Sequence, residues 1–562
     1  MDRREAWPDF RPEWILYDDG TVVAVNKPAG VPSQAADPRI ADDVVVRLSR
    51  FLEARDGDRP YLGVHQRLDR DTSGVLLYAR RREANASLAR QFEGRTVIKE
   101  YVAVASGWRG GGRTLRGRIV RGDGGRMRVA GKGAARGRPA VTHVEVLERR
   151  GARALLALRI ETGRTHQIRV QLAAAGAPVD GDAAYGGAAA PRLMLHARVL
   201  RLEHPVSGED LEMEAPVPEE MRRWMERGAP ADLRDRGAVG QLLSRAAEAR
   251  WGLARPAAEG PEPTTCFRLV HGAGDGLPGL CADVYGDHLV AHLYREVDDA
   301  VLDRVLDALA SLGFDGVYLK RHPRQASVVV DAVAAGLAPP EPVRGVAAPD
   351  PLVVYEHGLP LQVRLGHGLG TGLFLDQRDN RARVRKLARG RSVLNLFAHT
   401  CAFTVAAAAG GARRTVSVDA SAAALDRGRA QLEAFDPDGD HALVRADVFT
   451  QLAAEAKAGR SYDVVLVDPP TYSTTRVSRW RSGADWRRLA ADAFRVTAEG
   501  GTVLACSNDR RMPSAKLRRH LHEGARQAGR AVARMRDLPV PRDFPAPCGE
   551  PPHLKSVLVH LE

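Results

Sequence analysis

Cysteine is scarce in this chain of 562 residues, and long apolar runs are missing. Five cysteines (Cys266, Cys281, Cys401, Cys506, Cys548) are too few and too scattered for a disulfide framework or a zinc site, and no metal is expected. No run approaches the roughly 18 apolar residues that a membrane span needs. The start, MDRREAWPDF, lacks the apolar stretch of a signal peptide. A soluble, cytoplasmic protein with no membrane partner is therefore expected. Acid is also in short supply: Lys and Arg number 83 against 70 Asp and Glu, a net charge of +13. That balance favours a polyanionic partner, nucleic acid being the commonest, over an acidic one. With 44% hydrophobic residues, the chain is neither disordered nor a small scaffold. Its length suggests about three or four domains.

The N-terminal stretch reads as short strands alternating with Gly/Pro loops, a mixed α+β pattern. Residues 14–26 form a strand, a DDG turn and a second strand. Residues 153–160 read as a buried strand and 166–175 as a helix. Segment 109–138 is unusual, with ten Arg or Lys, ten Gly and a single acid, Asp123. It is either a flexible solvated insertion or a strip that follows a phosphate backbone. Residues 226–263 turn polar and read as an interdomain connection holding one helix, Gln241–Trp251. The expected domains are 1–225, a linker 226–263, a small α+β domain 264–350, and 351–562. From about Ser392, strands and helices alternate regularly, which means a parallel, doubly wound α/β sheet.

Two stretches of the first domain concentrate charge. HQRLDRDTSG (65–74) sets Asp69 between Arg67 and Arg70, so a carboxylate able to act as nucleophile or base stands among guanidinium groups. TGRTHQIRVQL (162–172) places Arg164, His166 and Arg169 at a strand-to-helix junction, which suits an anion. Both also fit solvated or capping roles.

Six motifs in order resemble the RluA-type pseudouridine synthases: VNKPAGVPS (25–33), RLDRDTSG (67–74), KEYVAV (99–104), TGRTHQIRV (162–170), GAPVDGDAAYG (176–186) and LMLHARVLRLEHPVSG (193–208). One departure is Gln66, which separates His65 from the arginine that usually follows it. The resemblance implies a pseudouridine synthase fold and a cofactor-free isomerisation of uridine, in which Asp69 attacks or helps detach the uracil ring. Addition to ribose and addition to base both stay open. It implies that Arg164 pairs with Asp69 and that Tyr101 stacks on the base. Arg67 would fill the gap left by the flipped nucleotide. Lys99, His166 and Arg169 would contact RNA.

In the C-terminal block, Asp419, Asp447 and Asp468 end three successive strands, where doubly wound sheets bind ligands. The first suits ribose hydroxyls, the second an adenine amine, and the third the reacting groups. The glycines of a dinucleotide fingerprint are missing from NLFAHTCAFT (395–404).

From about Gln241 onward the chain resembles the large-subunit rRNA methyltransferases of the RlmI and RlmK types. DGLPGLCADVYGDHLV (275–290) matches their small middle domain, and TGLFLDQRDNR (371–381) the segment opening the methyltransferase domain. VLNLFAHT (393–400), VSVDAS (416–421) and DPPTYS (468–473) match their cofactor and catalytic motifs. This implies a Rossmann-like fold with S-adenosylmethionine as cofactor, held by Phe397, Thr400, Asp419, Asp447 and Asp468. Asp468 would also serve catalysis, and Pro470, Tyr472 and Asn508 would hold the RNA base. The family usually has Thr-Gly where this chain has Thr400-Cys401, so the cysteine is expected to crowd the cofactor loop. Carbon methylation of a pyrimidine needs a Cys nucleophile. The RlmI pattern supplies one where this chain has Asn508, and Cys506 reads as a core residue. Guanine methylation on nitrogen is the favoured reading and 5-methylcytosine the alternative. A C-terminal half that only binds RNA is a further alternative. Together the two resemblances imply a bifunctional enzyme of rRNA, with 23S rRNA or a large-subunit precursor as partner.

Overall fold

The computed structural model describes residues 7–34, 42–122, 126–131, 136–229, 232–255, 263–323, 332–474, 479–547 and 549–562. The chain is multidomain and α/β, and among the described residues it holds an eleven-stranded, a five-stranded and a seven-stranded sheet, in chain order, with two short two-stranded ribbons. Parts of segments 109–138 and 226–263, and Cys548, lie outside the described residues.

Among the described residues the first sheet has eleven strands. Alternation in its apolar strands gives two buried faces. Val22 and Ala24 pack with Val75, Leu77 and Leu88 on one side. Val23 and Val25 pack with Leu48, Leu52 and Leu76 on the other. The strands Ser73–Ala79 and Leu195–Glu203 run parallel where His196 faces Ser73. There Gly74 adopts φ 115°, and a Cβ would lie 2.0 Å from the carbonyl oxygen of Ala197, so only glycine fits.

The basic segment is ordered where it is described. Arg113–Arg121 pairs with both Met127–Val129 and Arg138–Arg150, widening the sheet at its edge. Ile119 and Ala140 are buried there against Val170. Of the two readings of this segment, the flexible insertion does not describe these residues, which extend the sheet because their apolar side chains alternate with the arginines.

Two boundaries differ from expectation. The helix Glu219–Arg227 crosses the expected division at 225, and its Met221, Trp224 and Met225 pack on the first sheet. The connecting helix is Arg236–Ala249, begun by Asp235, whose side chain accepts from the Ala238 N–H. It is no polar tether, since Leu242, Leu243 and Ala246 are buried against Phe267 and Val305 of the middle domain. Trp7 enters the same core, its ring 5.8 Å edge-on from both Phe267 and Phe314.

The middle domain pairs Cys266–His271, Leu280–Tyr285, His288–Leu293, Gly316–Arg321 and Arg344–Gly345, with the helix Asp299–Ala310 against them. The C-terminal sheet runs, in spatial order, His441–Arg445, Arg414–Asp419, Ser392–Leu396, Tyr462–Val467, Thr497–Ser507, Lys555–Leu561, Val532–Leu538. Its first five strands are parallel, as the strand–helix alternation predicts. Lys555–Leu561 is inserted between Thr497–Ser507 and Val532–Leu538 and runs antiparallel to both. No helix among the described residues is long and apolar enough to cross a membrane.

Candidate active sites

The first sheet opens into a cleft of about 1300 Å³ lined by Arg67, Asp69, Lys99, Tyr101, Arg164, His166 and Arg169, among others. All seven candidate residues of this half therefore meet in one place. The partner of Asp69, however, is Arg169 and not Arg164. Arg169 donates from Nη1 to Asp69 Oδ2 at 2.8 Å, and from Nε and Nη2 to the buried Asp182 at 2.6 and 2.9 Å. Arg164 Nε instead reaches the carbonyl of Pro139 at 3.1 Å. The cause is local. His166 takes φ 55° just before the helix Gln167–Ala174, and Gln167 Oε1 accepts the Arg164 N–H at 3.1 Å. That turn aims Arg164 along the rim and brings the helix's first turn over Asp69. Two carboxylates raise the Arg169 guanidinium well above its usual range, against burial.

His166 lies 3.8 Å from Asp69, and its Nδ1 is 2.8 Å from the Tyr185 hydroxyl. Burial lowers its pKa. Tyr101 packs between two core clusters below the cleft. Its hydroxyl is held neutral by burial and by the Asp69 charge. His65 is tied to Asn85 at 2.8 Å and stacked near Phe92.

Three residues escaped the sequence reading. Asp182 and Tyr185 orient Arg169 and His166. Lys27 is fully buried and donates to the carbonyls of Pro28, Val31 and Arg70, tying the KPAG loop to the catalytic loop. Burial pulls its pKa down to about 7. A lysine closing the apolar strand Val22–Lys27 was the available signal.

The second site is a cavity of about 250 Å³ at the carboxyl ends of the parallel strands. Asp419, Asp447 and Asp468 converge on it with Phe397, Pro470 and Asn508. Asp419 accepts the backbone N–H groups of His399 and Ser421, each at 2.8 Å. Asp447 caps the helix Val448–Lys457 through the N–H groups of Phe449 and Thr450. Both carboxylates are thus held rigidly. Asp468 accepts from Gln377 Nε2 at 2.8 Å, and burial, followed by the neighbouring Asp376, pushes its pKa up to about 7. Phe374, Asp376, Gln377, His399 and Trp480 also line the cavity. Several of them belong to TGLFLDQRDNR, a motif quoted without assigning its residues.

Thr400 is not in the lining. Its hydroxyl donates to the Gly372 carbonyl and its own carbonyl accepts from Gln431, so it braces the loop. Cys401 does not crowd the cavity either. It adopts φ 62°, is fully buried, and its sulfur points at Gly428, where a Cβ would lie 2.5 Å away. Tyr472 is exposed on the short strand Tyr472–Thr474, beside the cavity lining and not in it. Asn508 accepts from the Thr471 hydroxyl at 3.0 Å. Cys506 lies inside its strand, 1% exposed, among Gln377, Asn380 and Ser556, and burial drives its thiol pKa far up. It is no thiolate.

Comparison with known proteins bears on both halves. Residues 267–559 match the family model of S-adenosylmethionine-dependent methyltransferases, and residues 21–174 that of RNA pseudouridylate synthases. A ribosomal RNA large subunit methyltransferase of Deinococcus radiodurans is 32% identical over 301 residues, 53% of this chain and 73% of that protein. A ribosomal large subunit pseudouridine synthase D of Xanthomonas campestris is 39% identical over 238 residues, 39% of this chain and 70% of that protein. A methyltransferase solved with SAH bound superposes with a TM-score of 0.52 at 24% identity, covering 63% of this chain and 85% of that one, which shows a common fold.

Proposed function

From the membership of this chain in the S-adenosylmethionine-dependent methyltransferase family over residues 267–559, and in the RNA pseudouridylate synthases over 21–174, we propose that it modifies large-subunit rRNA twice. One half converts uridine to pseudouridine and the other methylates a guanine nitrogen.

The observation that carries the first activity is Asp69, held by Arg169 in a cleft rich in cations. The target uridine leaves its stack and enters the cleft at a cost of a few kcal/mol, and Arg67 is placed to occupy the gap. Asp69 attacks or helps detach the uracil, which turns and rejoins the ribose through carbon. Arg169 keeps the carboxylate in position, and Tyr101 lies beneath the base without taking a proton, because burial holds it neutral. No cofactor is needed, since the reaction is an isomerisation.

In the second cavity, Asp419 suits the ribose hydroxyls of adenosylmethionine and Asp447 its adenine amine. The bound cofactor supplies an electrophilic methyl group. The backbone of 468–470 and Asn508 orient the target base. Where the methylated nitrogen bears a hydrogen, as guanine N1 and the exocyclic amine do, Asp468, with a pKa near 7, accepts the proton it gives up. The nitrogen reading is supported by Cys506, which is buried, neutral and turned to Asn380 and Ser556. Among the described residues no cysteine lines the cavity.

Two assays on the purified chain test this. Tritium release from uridine-labelled rRNA should vanish in Asp69→Asn. RNA substituted with 5-fluorocytidine should form no covalent adduct with the enzyme. A trapped adduct would establish carbon methylation instead.

A further inference from the structure

The cleft around Asp69 is not built by the N-terminal half alone. Its lining includes Arg542, which lies in the methyltransferase half, in the segment between Val532–Leu538 and Lys555–Leu561. Arg542 Nη2 meets Asp42 Oδ2 at 3.2 Å, yet its side chain stays 40% exposed.

The backbone beside it is fixed from three directions. Asp543 is fully buried. Its carboxylate accepts two hydrogen bonds from Arg378, at 2.6 and 2.9 Å, and the Arg268 N–H at 2.8 Å. Its carbonyl accepts from Arg250 at 2.8 Å, and Arg250 is itself paired twice with Asp275 at 2.7 Å. The methyltransferase domain, the middle domain and the connecting helix thus all hold the residue next to Arg542. A guanidinium carried on a backbone anchored this way, at the mouth of a cleft already lined by Arg67, Arg70, Arg95 and Lys99, matches a phosphate oxygen pair.

Resting on the reading above, we propose that Arg542 grips a phosphate of the RNA whose uridine enters the Asp69 cleft. The methyltransferase half then supplies one wall of the pseudouridine site, and the RNA groove continues from one half onto the other. Phosphate contacts of this kind set register on the nucleic acid.

The test uses the full chain and transcribed, tritium-labelled 23S rRNA. Arg542→Ala should raise KM for pseudouridine formation roughly tenfold while kcat changes little, and should lower the salt dependence of KM by about one phosphate contact. Arg542→Glu should act more strongly, and Arg542→Lys should recover most of the loss. Adenosylmethionine binding by the same preparations reports an intact fold. Asp42→Asn removes the charge partner of Arg542 and also that of the buried Arg47, but it leaves the Arg542 charge, so in preparations whose adenosylmethionine binding is intact KM should not rise. An unchanged KM and salt slope in Arg542→Ala would overturn the proposal. So would a rise in Asp42→Asn equal to that of Arg542→Ala, because Arg542 would then be only a strap between domains. Retained activity in Asp69→Asn would instead overturn the reading of the cleft itself.

Discussion

At the residue scale, the two arginines of TGRTHQIRV have different tasks. Arg169 is paired with Asp69 and braced by Asp182, so Arg169→Ala is expected to lower kcat for pseudouridine formation by about 100-fold through misplaced Asp69. Arg164→Ala should act mainly on KM. Steady-state kinetics of tritium release would separate them, and equal effects on kcat would contradict the assignment. The motif made both residues visible in the sequence. Which one meets Asp69 was not legible, because it depends on the left-handed turn at His166 and on Gln167 capturing the Arg164 N–H. Asp468 gives a second outcome at this scale. Burial raises its pKa to about 7, so below that pH it is protonated and no longer a base. The kcat/KM for methyl transfer should therefore rise with pH through about 7, and Asp468→Asn should lose nearly all activity. A flat profile from pH 6 to 8 would remove Asp468 from proton transfer.

At the scale of the element, two glycines record close approaches. Gly74 lets two parallel strands meet at Ala197. Gly74→Ala should cost more than about 2 kcal/mol of stability, read by denaturant unfolding, because backbone and not a flexible side chain stands in the way. Gly428 gives room to Cys401, which itself sits at φ 62°. The sequence showed that a cysteine replaces a glycine in the cofactor loop but not where its side chain goes. The space it fills lies on the helix Ala422–Phe435, distant in sequence from the loop. Gly428→Ala should lower the melting temperature, and adding Cys401→Gly should restore part of it, a coupling of about 1 kcal/mol or more. Simple additivity would show that the two do not share space. The basic segment 109–138 follows the same logic. Its glycines and arginines fit a flexible insertion or a phosphate-following strip, whereas the pairing of Arg113–Arg121 with Arg138–Arg150 depends on a partner strand farther along the chain.

At the scale of the whole molecule, the halves share surface. Trp7 donates from its ring nitrogen to the Ala247 carbonyl at 2.9 Å and packs in the middle-domain core. Arg47, 1% exposed, binds both Asp42 and Glu248. A backbone break between residues 229 and 232 should therefore leave two pieces that co-elute in size-exclusion chromatography, and Trp7→Ala should cost about 3–5 kcal/mol. Pieces that separate and fold independently would contradict this. The strand–helix alternation and the family motifs revealed both folds from sequence. The apolar face of Leu242, Leu243 and Ala246 was legible on the connecting helix, but the interface was not, because the partners of that face and of Trp7 lie far away in sequence, at Phe267 and Val305. The central claim is that one chain makes two different marks on large-subunit rRNA, each with its own acid. Mass spectrometry of rRNA nucleosides, from cells carrying the wild-type gene, Asp69→Asn or Asp468→Ala, tests it most directly. The expected result is loss of one pseudouridine in the first variant and of one methylated guanosine in the second, each leaving the other mark in place. An rRNA whose nucleosides are unchanged in either variant would contradict it.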